Sequence, residues 1–596
     1  RGRMITKQVP GAAPVRMVYD AVDRLILTQD GNMAAQGKWM YTMYDNLNRP
    51  VSTGLWPSSL TWAQHAANAA NSTTYPTLSG EEELTKTFYD DYSWLSSNGS
   101  PFSDTRSTTD DGQLNTPGSS YPYYQALSQT KFTKGIVTGT KTKVLGTSTY
   151  LYGISYYDDK GRLIQAQVQN ITTGTDITTT QYNWAGQPML NILRHQKNGA
   201  NPQTHIVLSR MTYDDLGRLS KTEKKVNSIT GSSNITKDWA TIALQDYNAL
   251  GQLKSKKLGN KPGVSNTPLA NLDYEYNIRG WLISINKAYV TGGTSGDQYF
   301  GMQLGYDKDG YGAFATKQFN GNISGTIWRS VGDGMDRKYE FGYDAANRLL
   351  KAAFTQLNGS TWDVSTGIDF SMQMGNGSDP TSAYDANGNI KAMQQKGLKI
   401  NSSPIIDSMT YSYLNGGNSN KLVAVTEGAG IGSMDNKLGD FTDKNTGNDD
   451  YSYDVNGNMI MDKNKAIYDA SGTVLAPGIS YNHLNLPKTI FVDTKGSIEY
   501  VYDATGSKLK KIVHENNKPD KTALYVAGFV YESDVLQFFG QEEGRIRYQP
   551  VNGSIPADLF KDYFIKDHLG NIRMVLTEQT KEDMYPVATM EVANAS

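Results

Sequence analysis

Two stretches of the chain hold side chains able to do chemistry. In "KDHLGNIR" (Lys566 to Arg573), His568 stands beside Asp567, the pairing of a general base with an orienting carboxylate. The run "DFTDKNTGNDDYSYD" (Asp440 to Asp454) holds enough oxygen ligands for a Ca²⁺ ion, but its spacing is not that of an EF-hand loop. The remaining histidines, His65, His195, His205, His483 and His514, are scattered and never fall at His-Glu-x-x-His spacing. With no cysteine, the chain has no disulfide, thiolate metal site or thiol nucleophile. Neither a phosphate loop, a dinucleotide fingerprint nor a Gly-x-Ser-x-Gly elbow occurs. The 38 tyrosines could stack sugars or bases if exposed. No metal or cofactor is expected, and no catalytic residue is assigned. Successive strand residues face opposite sides, which separates Asp567 from His568.

The elements that carry these residues repeat. Tyr-Asp or Tyr-Asn followed by Gly or Asn four residues after the Tyr recurs along the chain. The units are Tyr157-Asp158 with Gly161, Tyr213-Asp214 with Gly217, Tyr247-Asn248 with Gly251, Tyr276-Asn277 with Gly280 and Tyr306-Asp307 with Gly310. They continue with Tyr343-Asp344 and Asn347, Tyr384-Asp385 and Gly388, Tyr453-Asp454 and Gly457, Tyr481-Asn482 and Asn485, and Tyr502-Asp503 and Gly506. Weaker copies sit at Tyr19-Asp20, Tyr44-Asp45, Tyr182-Asn183 and Tyr413. Their spacing is roughly 20 to 40 residues, apart from one long interruption after Tyr44, the range of stacking supersecondary units.

Each unit has a mechanical reading. Tyrosines two apart, such as Tyr451 and Tyr453, share one face of a strand. The Asp or Asn bonds amides two residues on and starts a turn. Gly or Asn then takes the left-handed conformation required by a type I turn with a following bulge. The next apolar residue, such as Leu163 or Leu219, resumes a strand. A carboxylate needed once would not recur in every unit, whereas a turn must. The expected fold is all-β, a long antiparallel sheet of hairpins. A sheet of about thirty strands cannot stay flat with open edges, so it must coil or close, and a large coiled sheet can enclose a space.

Composition agrees. With 58 Gly and 38 Tyr the chain favours turns and half-buried strands. Lys+Arg 57 against Asp+Glu 59 leaves a net charge of −2, so neither a broad basic footprint for nucleic acid nor a polybasic membrane cluster is present. The longest mainly apolar stretch, Ala523 to Tyr531, is well short of the roughly 20 residues that span a bilayer. Residues 54–130 depart from the pattern and are expected to be an irregular insertion, with Ser58 or Ser59 capping a short Ala-rich helix. Residues 415–450 are rich in Gly and Asn and predict a long loop. Gly2-Arg3-Met4 matches Gly161-Arg162-Leu163, so the sequence is expected to begin inside a repeat, with an N-terminal extension before it.

These repeats resemble the YD repeats of RHS (rearrangement hot spot) proteins, and Asp567, His568, Leu569, Gly570, Asn571 and Arg573 resemble the signature of the RHS-associated core that follows them. The form "YDNLNRPV" with "DHLGNIRMVL" is most similar to versions from Bacteroidetes-type bacteria. The resemblance covers nearly the whole chain. It implies a hollow β-cocoon around a C-terminal toxin domain, with residues 1–500 as repeat shell, residues 501–596 as closing core, and a cargo domain beyond. It further implies a secreted or cell-surface location, a secretion or injection machinery and an immunity protein as partners, and a role in interbacterial competition. Many members cut the toxin free at an Asp-Pro-x-Gly-Leu site; no such motif occurs here, so self-cleavage transfers to no residue and no enzymatic activity is expected. The rival reading is an adhesin or carbohydrate-binding protein displaying loops and tyrosines outward. A β-propeller hydrolase fits less well, because its period is longer and more regular.

Overall fold

A computed structural model of the chain describes residues 2–580 apart from 117–122, 232, 265, 294–295, 309–313, 400–401, 429–439, 446 and 473. Strands hold 50% of the residues and helices 6%, so the all-β expectation is met. From Thr6–Lys7 to Leu422–Glu427 the chain forms one antiparallel sheet of 26 strands, a meander in which sequence neighbours pair. No helix among the described residues is long and apolar enough to cross a membrane.

The unit at Tyr213 shows how the sequence builds the sheet. Asp214 Oδ1 accepts from the amides of Leu216 (3.0 Å) and Arg218 (2.8 Å). Gly217 N–H closes the turn on the Asp214 carbonyl at 2.8 Å. Gly217 has φ +77°, a conformation that a Cβ would strain. Tyr213 then pairs with Leu219 across a one-residue slip in register, the expected bulge. Asn347 and Asn485 take the same left-handed position where Gly is absent, at φ +63° and +58°.

Two links then join each unit to the next. Arg218 Nε donates to Asp214 Oδ2 at 2.7 Å, and its guanidinium lies 4.7 Å from the centre of the Tyr247 ring in the following unit. The Tyr247 hydroxyl donates back to the Leu219 carbonyl at 2.8 Å. The hydroxyl clamp recurs in every unit but those at Tyr276 and Tyr502, whose hydroxyls make no such bond among the described residues. Each clamp contributes about 1 kcal/mol net. Tyr19 likewise donates to the Met4 carbonyl at 3.0 Å.

Among the described residues the backbone ladder lapses after Glu427, but the clamps continue. Tyr453 donates to the Leu422 carbonyl (2.8 Å) and Tyr481 to that of Met459 (2.6 Å), across short two-stranded pieces at 451–477. A second, ten-stranded sheet runs from Ile479 to Thr577. In backbone pairing, residues 479–500 therefore go with the C-terminal part rather than with the repeat region expected to end at 500. The stretch 54–130 is also not wholly outside the sheet, since Glu82–Asp90 pairs with Pro50–Pro57 and Thr133–Lys143. Its helix, Trp62–Ala69, is capped by Thr61 and not by Ser58 or Ser59. Only Thr61 has a Gln three residues on, and Gln64 completes a capping box.

The strip lies over itself in order. Asn32 bonds Asp454 and Asn456, 422 and 424 residues later. Leu145 N–H donates to the Tyr502 carbonyl. Contacts from His195 and Asn201 span 336 and 333 residues, those from Lys224 span 318 and from Lys256 only 287. Separations that fall overall along the chain describe a coil whose second track is shorter than its first. Apolar clusters fill the overlap, one of them packing Met33, Leu55 and Leu84 on Ala504. Val207, Val226 and Ile235 of the long sheet pack on Phe529, Tyr531, Phe539 and Ile546, and Ile242, Leu258 and Phe300 pack with Tyr563 and Ile565.

Candidate functional site

The closing motif is one more copy of the turn. Asp567 Oδ1 accepts from the Leu569 and Asn571 amides, both at 2.9 Å, and Gly570 takes φ +85°. Lys566 pairs with Ile572 across the same slip, so Lys566 stands where other units carry Tyr. Asp567 Oδ2 accepts from Asn571 Nδ2 (3.0 Å) and Arg573 Nε (2.8 Å). Desolvation pushes the Asp567 carboxyl up, but the Asn571, Leu569 and Arg573 hydrogen bonds outweigh it and hold it below its ordinary value. His568 receives none of these bonds, and its Nδ1 is buried without a partner. The base-and-carboxylate reading therefore finds no dyad at this position. Tyr157, Asp158 and Gly161, and the corresponding residues at 384–388, 453–457 and 502–506, likewise form turns. Gly310 lies outside the described residues.

The histidines that do meet are ones the sequence left apart. His195 and His205 pair on adjacent strands with ring centroids 5.9 Å apart. Phe529 of the ten-stranded sheet stacks on both, at 4.4 and 5.0 Å. His195 bridges Asp176 (Nδ1, 2.5 Å) and the Tyr531 hydroxyl (Nε2, 2.9 Å). His205 Nδ1 meets Ser228 Oγ at 2.7 Å, while its Nε2 has no partner. Burial, with His195 second, pushes the His205 imidazole down to about 3. Burial also pushes the Tyr531 hydroxyl up. An Asp–His–Tyr line suits proton transfer, but His195, His205 and Tyr531 are all at 0% exposure, so no substrate reaches them. The cluster is a fastener between the two layers. Lys197 with Asp534 (2.8 Å) and Lys224 with Glu542 (3.0 Å) flank it.

Among the described residues, one acidic cluster brings three carboxylates within reach of a single cation. Oxygens of Asp407, Glu427 and Asp440 lie within 4.8 Å of one another. Desolvation first, and then the neighbouring carboxylates, raise Glu427 and Asp440. Glu427 Oε1 and Asp440 Oδ1 are buried without partners. All donors are oxygens, the set that suits Ca²⁺. Of the run Asp440 to Asp454 picked out in the sequence, only Asp440 belongs to this trio; Asp450 instead accepts from the Val425 amide at 2.8 Å. Asp407 and Glu427 carry no local spacing that could have flagged them. The other histidines are structural or exposed: His65 bonds Tyr75 between Trp39 and Trp56, and His514 pairs with Asp520 at the surface.

No protein-family model matches the chain, and no curated protein matches it. Solved structures do. A structure of the Photorhabdus luminescens Tc holotoxin pore with a TccC3 mutation aligns over 97% of this chain and 23% of its own, at 11% identity and a TM-score of 0.37. The crystal structure of TcdB2-TccC3 aligns over 96% of this chain and 30% of its own, at 12% identity and a TM-score of 0.31. The chain thus spans less than a third of either.

Proposed function

We propose that the chain is the enclosing β-wall of a larger RHS-type toxin, holding a C-terminal effector apart from the producing cell until delivery. The mechanism is sequestration and needs no catalytic residue. The observation that carries this reading is the ordered self-overlap, whose contact separations fall from 424 to 287 residues. A strip that coils in this way surrounds a volume and seals its own edge. The turn at Asp567 to Arg573 ends the second track and serves to anchor whatever follows. Export, an injection machinery and an immunity protein belong to the same reading, as does an origin in Bacteroidetes-type bacteria.

The test is protection. A small reporter domain fused after Ser596 should resist protease while the wall is folded and become cleavable when denaturant opens it. Digestion at the rate of the free reporter, or an electron cryo-microscopy map with a filled interior, overturns the proposal.

A further inference from the structure

Four consecutive turns carry large apolar side chains that the turn itself does not require. Trp184, Leu216, Leu250 and Ile278 stand between the Asx residue and the Gly in the units of Tyr182, Tyr213, Tyr247 and Tyr276. They are 74%, 77%, 83% and 99% exposed. In the units of Tyr343 and Tyr384 the same two positions hold Ala345-Ala346 and Ala386-Asn387, and the turn closes equally well. Phe319, also exposed, extends the row: Gln318 N–H donates to the Tyr306 carbonyl, which places Phe319 at the following unit.

The tips are neighbours. Gln187 Nε2 donates to the Gly217 carbonyl (2.8 Å), the Arg218 guanidinium lies on Tyr247, and Arg279 Nη1 donates to the Phe319 carbonyl (3.1 Å). Successive hairpin turns lie two strand spacings apart, roughly 9.5 Å. Exposed apolar residues are normally scattered singly, and a contiguous row marks a contact surface. One turn tip already serves as such a contact inside the molecule. Ala504, in the unit of Tyr502, packs on Met33, Leu55 and Leu84 and donates from its amide to the Lys143 carbonyl at 2.8 Å.

Charge identifies the partner. In these four turns the charged tips are Asp215, beside Leu216, and Arg279, beside Ile278. Both are exposed, and neither has an ion-pair partner among the described residues. They occupy the second and fourth units, one on each side of the neutral tip Ala249-Leu250. A second ridge turned end for end about a two-fold axis at Leu250 therefore sets Asp215 against the partner subunit's Arg279, and Arg279 against the partner subunit's Asp215. Leu250 then meets its own copy, and Trp184 meets the partner's Phe319. One patch contacts itself without opposing like charges, as an isologous interface demands. A bilayer would instead receive Asp215 as an unpaired carboxylate in the middle of the apolar row, which opposes insertion.

We infer that this ridge pairs, antiparallel, with the ridge of a second copy of the chain, with Leu250 on the two-fold axis and an ion pair between Asp215 and Arg279 on each side. The contact lies on the turn edge of the sheet and does not depend on what the wall encloses.

Sedimentation velocity on the whole chain from about 1 to 100 µM reads the association, and a dimer is expected within that range. Leu250→Ser, Asp215→Arg and Arg279→Asp should each weaken it at least about tenfold, and combining the two charge reversals should bring it back to within about threefold of the wild type. All three positions are exposed tips, and the double reversal separates a lost contact from a lost fold. A chain that stays monomeric across the range overturns the inference, as does a dimer indifferent to these changes or a double reversal that recovers nothing. Binding to phosphatidylcholine vesicles that Leu250→Ser abolishes, with the chain itself monomeric, assigns the ridge to lipid and overturns it too.

Discussion

Acid should loosen the two layers at His205. Its imidazole is held near 3 in the folded protein against an ordinary 6.5. Because the folded value is the lower one, the stabilisation is complete above about pH 6.5 and is lost progressively as pH falls toward 3. At pH 5 the open form gains a proton that the closed form refuses over 1.5 of those units, about 2 kcal/mol or some thirtyfold more opening. The groups that face the ring are His195 on the paired strand, Ser228 on the next, and Phe529, Tyr531 and Phe539 from the opposing sheet; Asp176 lies behind His195. None of these contacts supplies a carboxylate directly to His205, so protonation there is uncompensated. Hydrogen exchange of Phe529–Glu532 and Val535–Gln541, corrected for the chemical exchange rate, reads the opening directly. The drop between pH 7 and pH 5 should vanish in His205→Phe, which keeps the stack and cannot titrate. An equal drop in that variant, or a wild-type drop below about 0.5 kcal/mol, refutes the reasoning.

Other substitutions test the architecture. Tyr453→Phe removes the clamp to Leu422 and should cost about 1 kcal/mol in exchange protection of Leu422–Glu427, whereas Tyr502→Phe, with no clamp to lose, should leave stability unchanged. Gly217→Ala at φ +77° should destabilise by about 1 kcal/mol or more in denaturant melts. Glu427 is raised by burial and by its acidic neighbours, so its charged form opposes folding and stability is lost as pH rises through its folded value. Glu427→Gln should accordingly raise the melting temperature at neutral pH and not at pH 4; a fall at neutral pH would contradict this.

The turns were legible because each is decided within seven residues. Tyr213, Asp214, Gly217 and Leu219 carry the whole instruction, and the bulge at Tyr213 follows from it. Legibility ends where the partner is a backbone atom or lies a full circuit away. A clamp joins Tyr247 to the carbonyl of Leu219, 28 residues back, and a carbonyl has no sequence signature. The regular return of tyrosine was the available signal, but shared-face packing explained it equally well. His195 and Phe529 carry no mutual periodicity at all; they meet only because the second track has a particular length. The same holds for Asp407 and Glu427, which reach Asp440 through tertiary packing.

This difference changes how chemistry should be sought in such a chain. Asp567 and His568 attract notice as reactive types, yet Asp567 makes the bonds that the repeat demands and His568 gains no partner by it. Asn482 looks like an ordinary member of the repeat, but its Nδ2 is buried without the bond that its position normally makes. A buried amide without a partner costs about 1–3 kcal/mol, and the Asn units at 183 and 248 show a ready remedy in Gln four residues on. Leu486 stands there instead. In a repeat protein, a reactive side-chain type at a turn position therefore does not by itself mark a site.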